Sequence, residues 1–163
     1  MTVVAGAICP LPDLPLVREL LGMLFDGLVV KAGAKLDVSP KSKGWVAVYV
    51  SDDGKPAALC ACDIAFAANS GAALSMLPPG VAKDCVKTGQ LTEVMVANLR
   101  EVMNICTRLV LHEGTAHVRL DTVCPIVQLP AAVAAIAAAP KARIDFEMTL
   151  GKYGNGVLAA LVI

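Results

Sequence analysis

Two stretches of this chain are written as strand, turn and returning strand, and they constrain its fold more than any other feature. In the first, "GWVAVYV" (44–50) runs through the turn letters "SDDGKP" into "AALCACD" (57–63). Apolar, β-branched runs on either side of Asp-Asp-Gly read as a buried hairpin. In the second, "RIDFEMTL" alternates apolar with polar, "GKYGNG" turns, and "VLAALVI" is apolar throughout. That pattern predicts a half-solvated strand beside a more central one. Antiparallel pairs with helical patterns between them imply an α+β fold in two layers, a mostly antiparallel sheet covered by helices, rather than a doubly wound parallel sheet. The 163 residues suit a single domain spanning 1–163, with 1–15 irregular because Pro10, Pro12 and Pro15 each restrict the residue before them.

Helical patterns fill the intervals. From residue 16, "LVRELLGMLFDGLVVKAG" repeats Leu16, Leu20, Leu24 and Leu28, which predicts an amphipathic helix closing at Gly33. Asp63 is placed to cap a helix over "IAFAANSGAALSML", which Pro78-Pro79-Gly80 ends; the stretch after it, up to residue 89, is expected to be irregular. Residues 90–110 carry the longest helical pattern, "TAHVRLD" alternates as a strand, and "LPAAVAAIAAAP" is a short helix between prolines. Arg143, Asp145 and Glu147 on the wet side of "RIDFEMTL" would protect an exposed sheet edge.

Charge and motifs narrow the function. Fourteen Lys and Arg balance fourteen Asp and Glu, so no long-range field draws in nucleic acid or anionic lipid. Aromatics are 4% of a chain that is 56% hydrophobic, so the core is aliphatic. No apolar run approaches the roughly 18 residues of a membrane span, and residues 1–15 lack a basic segment followed by an apolar one, so a cytoplasmic protein is expected. Cys60 and Cys62 on a strand would point to one face rather than wrap a metal; with no second close pair, the six cysteines read as free, mostly buried thiols. No phosphate loop, nucleophile elbow or H-E-x-x-H occurs, which leaves no motif for a bound cofactor or metal. Asp52, Asp53 and Asn155 read as turn residues, His117 as a surface histidine and Trp45 as an anchor.

The long helical pattern is where chemistry would reside. At about 100° per residue, Leu91, Met95, Leu99, Val102, Cys106 and Leu109 share a core stripe that Val94 and Ile105 extend. Glu93, Arg100, Asn104, Thr107 and Arg108 fall opposite, with Glu101 at the edge of that arc. Glu101 and Asn104 are i and i+3, so their side chains stand together on one ridge. A carboxylate and a carboxamide so placed can hold an ammonium and a water at once. The plain alternative is a solvated face on which Arg100 or Arg108 pairs with Glu101.

The segment "QLTEVMVANLREVMNICTRLV" resembles the signature helix of the CheC/CheX/FliY family of chemotaxis phosphatases, whose motif E-x-x-N is matched by Glu101 and Asn104. The order of elements around it is similar as well, and one such helix rather than two makes the chain closest to the single-site CheX-like type. The resemblance implies a CheC-like fold and a phosphatase acting on the aspartyl-phosphate of a response-regulator receiver domain. Asn104 would orient the attacking water and Glu101 would pair with the receiver's lysine. It implies no cofactor held by this chain, Mg2+ in the partner receiver, and a homodimer paired through sheet edges. A bulky "CTR" follows Asn104 where such proteins carry small residues. It favours a second reading, a non-catalytic chain that binds a receiver or another partner through the same helix; a third is a dimeric structural protein.

Overall fold

Both hairpins form, and they are neighbours in one six-stranded sheet. The computed structural model describes residues 2–3 and 8–163. A short pair, β1 (Thr2–Val3) and β2 (Pro10–Leu11), precedes α1 (Leu14–Gly22). The expected irregular stretch up to residue 15 is therefore partly ordered, while residues 1 and 4–7 of it lie outside the described residues. Asp13 caps α1 by accepting from the Leu16 amide at 3.0 Å, and Pro15 sits in the first turn, where its missing N–H is harmless.

The expected helix over residues 16–33 is overturned in its second half. α1 stops at Gly22, Gly27 turns the chain at φ +72°, and "LVVKA" becomes the strand β3 (Leu28–Ala32). Leu28 continued the helical spacing, but the adjacent Val29 and Val30 favour a strand, and β3 has an interior partner waiting for it. The first hairpin is β4 (Trp45–Ser51) and β5 (Pro56–Cys62), closed by Gly54 at φ +78° and by Asp53 accepting from the Lys55 amide at 3.0 Å. Asp63 caps α2 (Ile64–Leu74) as expected. One carboxylate oxygen, Oδ1, accepts from both the Phe66 and the Val157 amides, at 2.8 and 3.1 Å.

A second correction follows α2. The stretch expected to be irregular is α3 (Pro79–Thr88), entered at Pro79 and ended by left-handed Gly89. Proline at the first helical position starts a helix as readily as it stops one. Then come α4 (Glu93–Ile105), β6 (Val118–Pro125), α5 (Ala131–Ala138) and the second hairpin, β7 (Ala142–Leu150) and β8 (Asn155–Val162). Positive φ in that turn belongs to Gly151 and Gly154 rather than to Asn155, which opens β8.

Every pairing in the sheet is antiparallel, in the order β3-β7-β8-β5-β4-β6. β7 is thus an interior strand, and the edges are β3 and β6. This corrects the reading of Arg143 and Asp145 as guards of an edge. They form a largely buried ion pair, 2.6 Å between Nη2 and Oδ2, with side chains 14% and 10% exposed. Both also bond the Leu36 backbone, tying residues 33–40 across β7.

Alternate residues of the sheet feed two cores. Ala47, Tyr49, Cys60, Cys62, Phe146, Met148, Leu158 and Ala160 face α1, α2 and α4. Val46, Val48, Leu59, Ala61, Ala159 and Leu161 face the other way, toward Leu36, Ile126 and Ala137 of α5. Cys60 and Cys62 do share a face, and all six cysteines are unpaired thiols, Cys124 alone not fully buried.

Candidate functional site

The helix α4 begins at Thr92, whose hydroxyl accepts from the Met95 amide at 3.3 Å, with Glu93 in the first turn where the helix dipole favours an acid. Met95, Leu99, Val102 and Met103 are buried, so one stripe binds the helix to the domain. Of the expected stripe, Leu91 is only half-buried, and Val94, expected to extend the stripe, is 55% exposed. After Ile105 the helix tightens into a 3-10 turn over Cys106–Leu109. Its three-residue period aligns Cys106 with Leu109, and both are buried. The "CTR" continuation thus re-aims the chain from the second residue after Asn104.

Glu101 and Asn104 are both exposed, on the face away from the core. Among the described residues neither side chain has a hydrogen-bond or ion-pair partner, so Arg100 and Arg108 do not neutralise Glu101. The ridge carries an uncommitted carboxylate and an uncommitted carboxamide one turn apart. The first can accept from a cation; the second can donate to one group and accept from another. Such a pair can bind a cation and orient a water.

Three contacts fix where this ridge stands. Gly71 of α2 lets α4 approach so closely that a Cβ there would lie 3.0 Å from the Met95 carbonyl oxygen. Asn98 donates from Nδ2 to the Gly71 carbonyl at 2.8 Å and to the Ser75 hydroxyl at 2.7 Å. Tyr49, fully buried on β4, donates its hydroxyl to the Met103 carbonyl at 2.6 Å. Burial pushes the Tyr49 phenol well above its ordinary value and the neighbouring Cys60 thiol up to about 12, so both stay neutral and the phenol keeps the proton it donates. The sequence reading missed Asn98 and Tyr49. A signal existed for Asn98, a polar residue in mid-helix one turn before Glu101; Tyr49 stood among aliphatic letters with nothing to mark its partner.

Of the other residues considered, His117 is exposed and lies 3.1 Å from Asp52 at the tip of the first hairpin. Trp45 packs against the larger core. Among the described residues no helix is long and apolar enough to cross a membrane.

No protein-family model matches the sequence, and no curated protein does. Solved structures do. A chain of the CheX–CheY–BeF3–Mg2+ complex from Borrelia burgdorferi superposes with a TM-score of 0.55 at 14% identity, over 90% of this chain and 92% of that one. A chemotactic CheC-like protein from Shewanella oneidensis matches at 14% identity over 89% of each chain, with a TM-score of 0.42. The α+β fold is therefore CheX-like, as the resemblance implied.

Proposed function

We propose that α4 docks against the phosphorylated receiver domain of a response regulator and promotes hydrolysis of its aspartyl-phosphate. The observation that carries this reading is the pairing of Glu101 and Asn104, exposed and uncommitted on adjacent turns of a helix held in a CheX-like fold. An acyl phosphate is already labile, so a water held in line is the main thing a catalyst must add. In this proposal the Asn104 carboxamide fixes that water, and Glu101 accepts from a lysine of the receiver and so sets the angle of docking. The Mg2+ is expected in the receiver, where it would shield the phosphoryl oxygens; this chain contributes no ligand to it.

The test is a single-turnover decay of phosphoryl-receiver beside a binding titration. Asn104→Ala is expected to abolish most of the acceleration while leaving docking nearly intact, because orientation counts for more in the transition state than in the complex. Glu101→Ala is expected to weaken docking as well as decay. Equal decay for wild type and Asn104→Ala, with the receiver saturated, would overturn the catalytic assignment. It would favour the second reading, docking without catalysis, which the tightened turn after Asn104 supports.

A homodimer is part of the same proposal. The edges β3 and β6 are open to pairing, although Lys31, Arg119 and Asp121 on them are charges of the kind that limit promiscuous pairing. A monomer in sedimentation at roughly tens of micromolar would refute a stable dimer.

A further inference from the structure

The end of α2 is built in an unusual way. Leu77 donates its amide to the Ala72 carbonyl at 2.9 Å, and Met76 donates to Ala73 at 3.1 Å. This is the Schellman arrangement, in which the residue after the C-cap takes a left-handed conformation and is ordinarily glycine. Here that residue is Met76, at φ +55°, the one non-glycine with positive φ among the described residues. The residue is 86% exposed, the most exposed large hydrophobic among the described residues. The fold gains neither burial from this methionine nor relief from its backbone strain.

The surroundings hold it in place. On one side Ser75 accepts from Asn98 of α4; on the other, the Leu77 carbonyl accepts from the Tyr153 hydroxyl at 2.8 Å. Gly71 meets Met95 and Ser75 meets Asn98, so α2 and α4 advance side by side in the same direction. Met76 therefore follows directly on the residue that is tied to Asn98 of α4, and Glu101 is one turn beyond Asn98. A strained, exposed residue whose two neighbours are both clamped, one of them to the helix that carries the candidate site, points to function rather than to packing.

We infer that Met76 is the apolar anchor of the surface that α4 presents, and that its occupant is the receiver itself. The inference rests on the reading of α4 proposed above. The partner surface it fits has an ammonium for Glu101 and, within a helix turn of it, a shallow apolar socket for an unbranched, polarizable side chain. Exposed Val94, two turns before Glu101 on α4, widens the apolar margin.

The experiment titrates a panel of receiver domains, loaded with beryllofluoride and Mg2+, into wild type, Met76→Gly and Glu101→Ala. Each variant is also melted, and the Met methyl groups are followed by 13C NMR. Met76→Gly is expected to melt at or above the wild-type temperature, because glycine suits the left-handed position. It is expected to bind about tenfold more weakly, the loss typical of a truncated anchor. The Met76 methyl resonance is expected to shift on binding. A receiver bound equally well by wild type and Met76→Gly, while Glu101→Ala is weakened, overturns the role of Met76 alone. No binding by any receiver, or unweakened binding by Glu101→Ala, overturns the reading of α4 and this inference with it. A Met76→Gly that melts several degrees lower removes the strain premise and overturns the inference. Self-association lost in Met76→Gly with receiver binding unchanged would assign the surface to a second copy of the chain and overturn the proposal.

Discussion

The bond from Tyr49 to Met103 allows the anchoring of α4 to be tested without touching its exposed ridge. Tyr49→Phe keeps the ring, and with it nearly all the packing in the larger core, and removes one hydroxyl. Met103 is among the last four residues of α4, whose carbonyls a helix end leaves short of intrahelical donors. Both residues are fully buried, so water does not replace the lost donor. Loss of the bond and exposure of an unsatisfied acceptor together come to about 1–3 kcal/mol. For a chain of this size that lowers the melting temperature by about 3–9 °C, at roughly 3 °C per kcal/mol. The chain supplies its own control. Its second tyrosine, Tyr153, also donates to a carbonyl, that of Leu77, but is only half-buried. Water can take over there, and Tyr153→Phe should cost about 1 kcal/mol or less. Denaturant midpoints for the two variants, measured beside wild type, give the comparison. Equal losses, or a Tyr49→Phe within about 0.5 kcal/mol of wild type, would refute the claim that this buried bond fastens the end of the helix.

Two further predictions concern groups remote from the ridge. Asp145→Ala leaves the Arg143 guanidinium buried without its partner and takes an acceptor from the Leu36 amide, so a loss of about 3–5 kcal/mol is expected in urea unfolding; a loss under about 1 kcal/mol would show that the pair is hydrated in solution. Burial raises the Asp63 carboxyl above the ordinary carboxylate value. The folded state therefore binds more proton than the unfolded one in the window just above that value, and stability falls as pH rises through it. Asp63→Asn keeps the oxygen that accepts from both Phe66 and Val157 and removes the titration. Stability within about 1 kcal/mol of wild type at pH 7, with a flatter profile down to pH 4, is expected; a loss above about 2 kcal/mol would mean that the charge itself holds the cap.

The parts of this fold legible in the sequence are those in which one signal acts alone. Strict alternation over β7 and the apolar run of β8 had no competing pattern, and Asp63 before an alanine-rich run stands where a cap is expected. β3 was lost because Leu20, Leu24 and Leu28 keep helical spacing across a turn, an accident that Gly27 and the Val29-Val30 pair contradict only when a strand partner is known. That one miss produced a second: without β3 beside it, β7 looks like an edge, and its Arg143 and Asp145 look like surface guards rather than a buried pair. α3 was lost because Pro78-Pro79-Gly80 carries the same letters whether it ends one helix or opens the next. On α4 the exposure of Glu101 and Asn104 followed from periodicity. The contacts that hold the helix join residues 23 to 54 positions apart, and local pattern carries no information about such pairs.

Those contacts also bear on the docking role proposed for the ridge. The anchors fall at Met95, Asn98 and Met103, so Glu101 lies between fixed points and Asn104 lies one residue past the last of them. A helix fastened along its length loses little backbone freedom when a partner closes on it. The entropy still to be lost is then that of the docking side chains, about 0.5–1.5 kcal/mol for each one immobilised. Met76 fits the same economy, since its backbone is confined by the turn at the end of α2 before any partner arrives. Stability and the proposed docking therefore draw on different residues. The stripe and its clamps hold α4 whatever occupies the ridge, and the ridge is free to change its partner without loosening the fold.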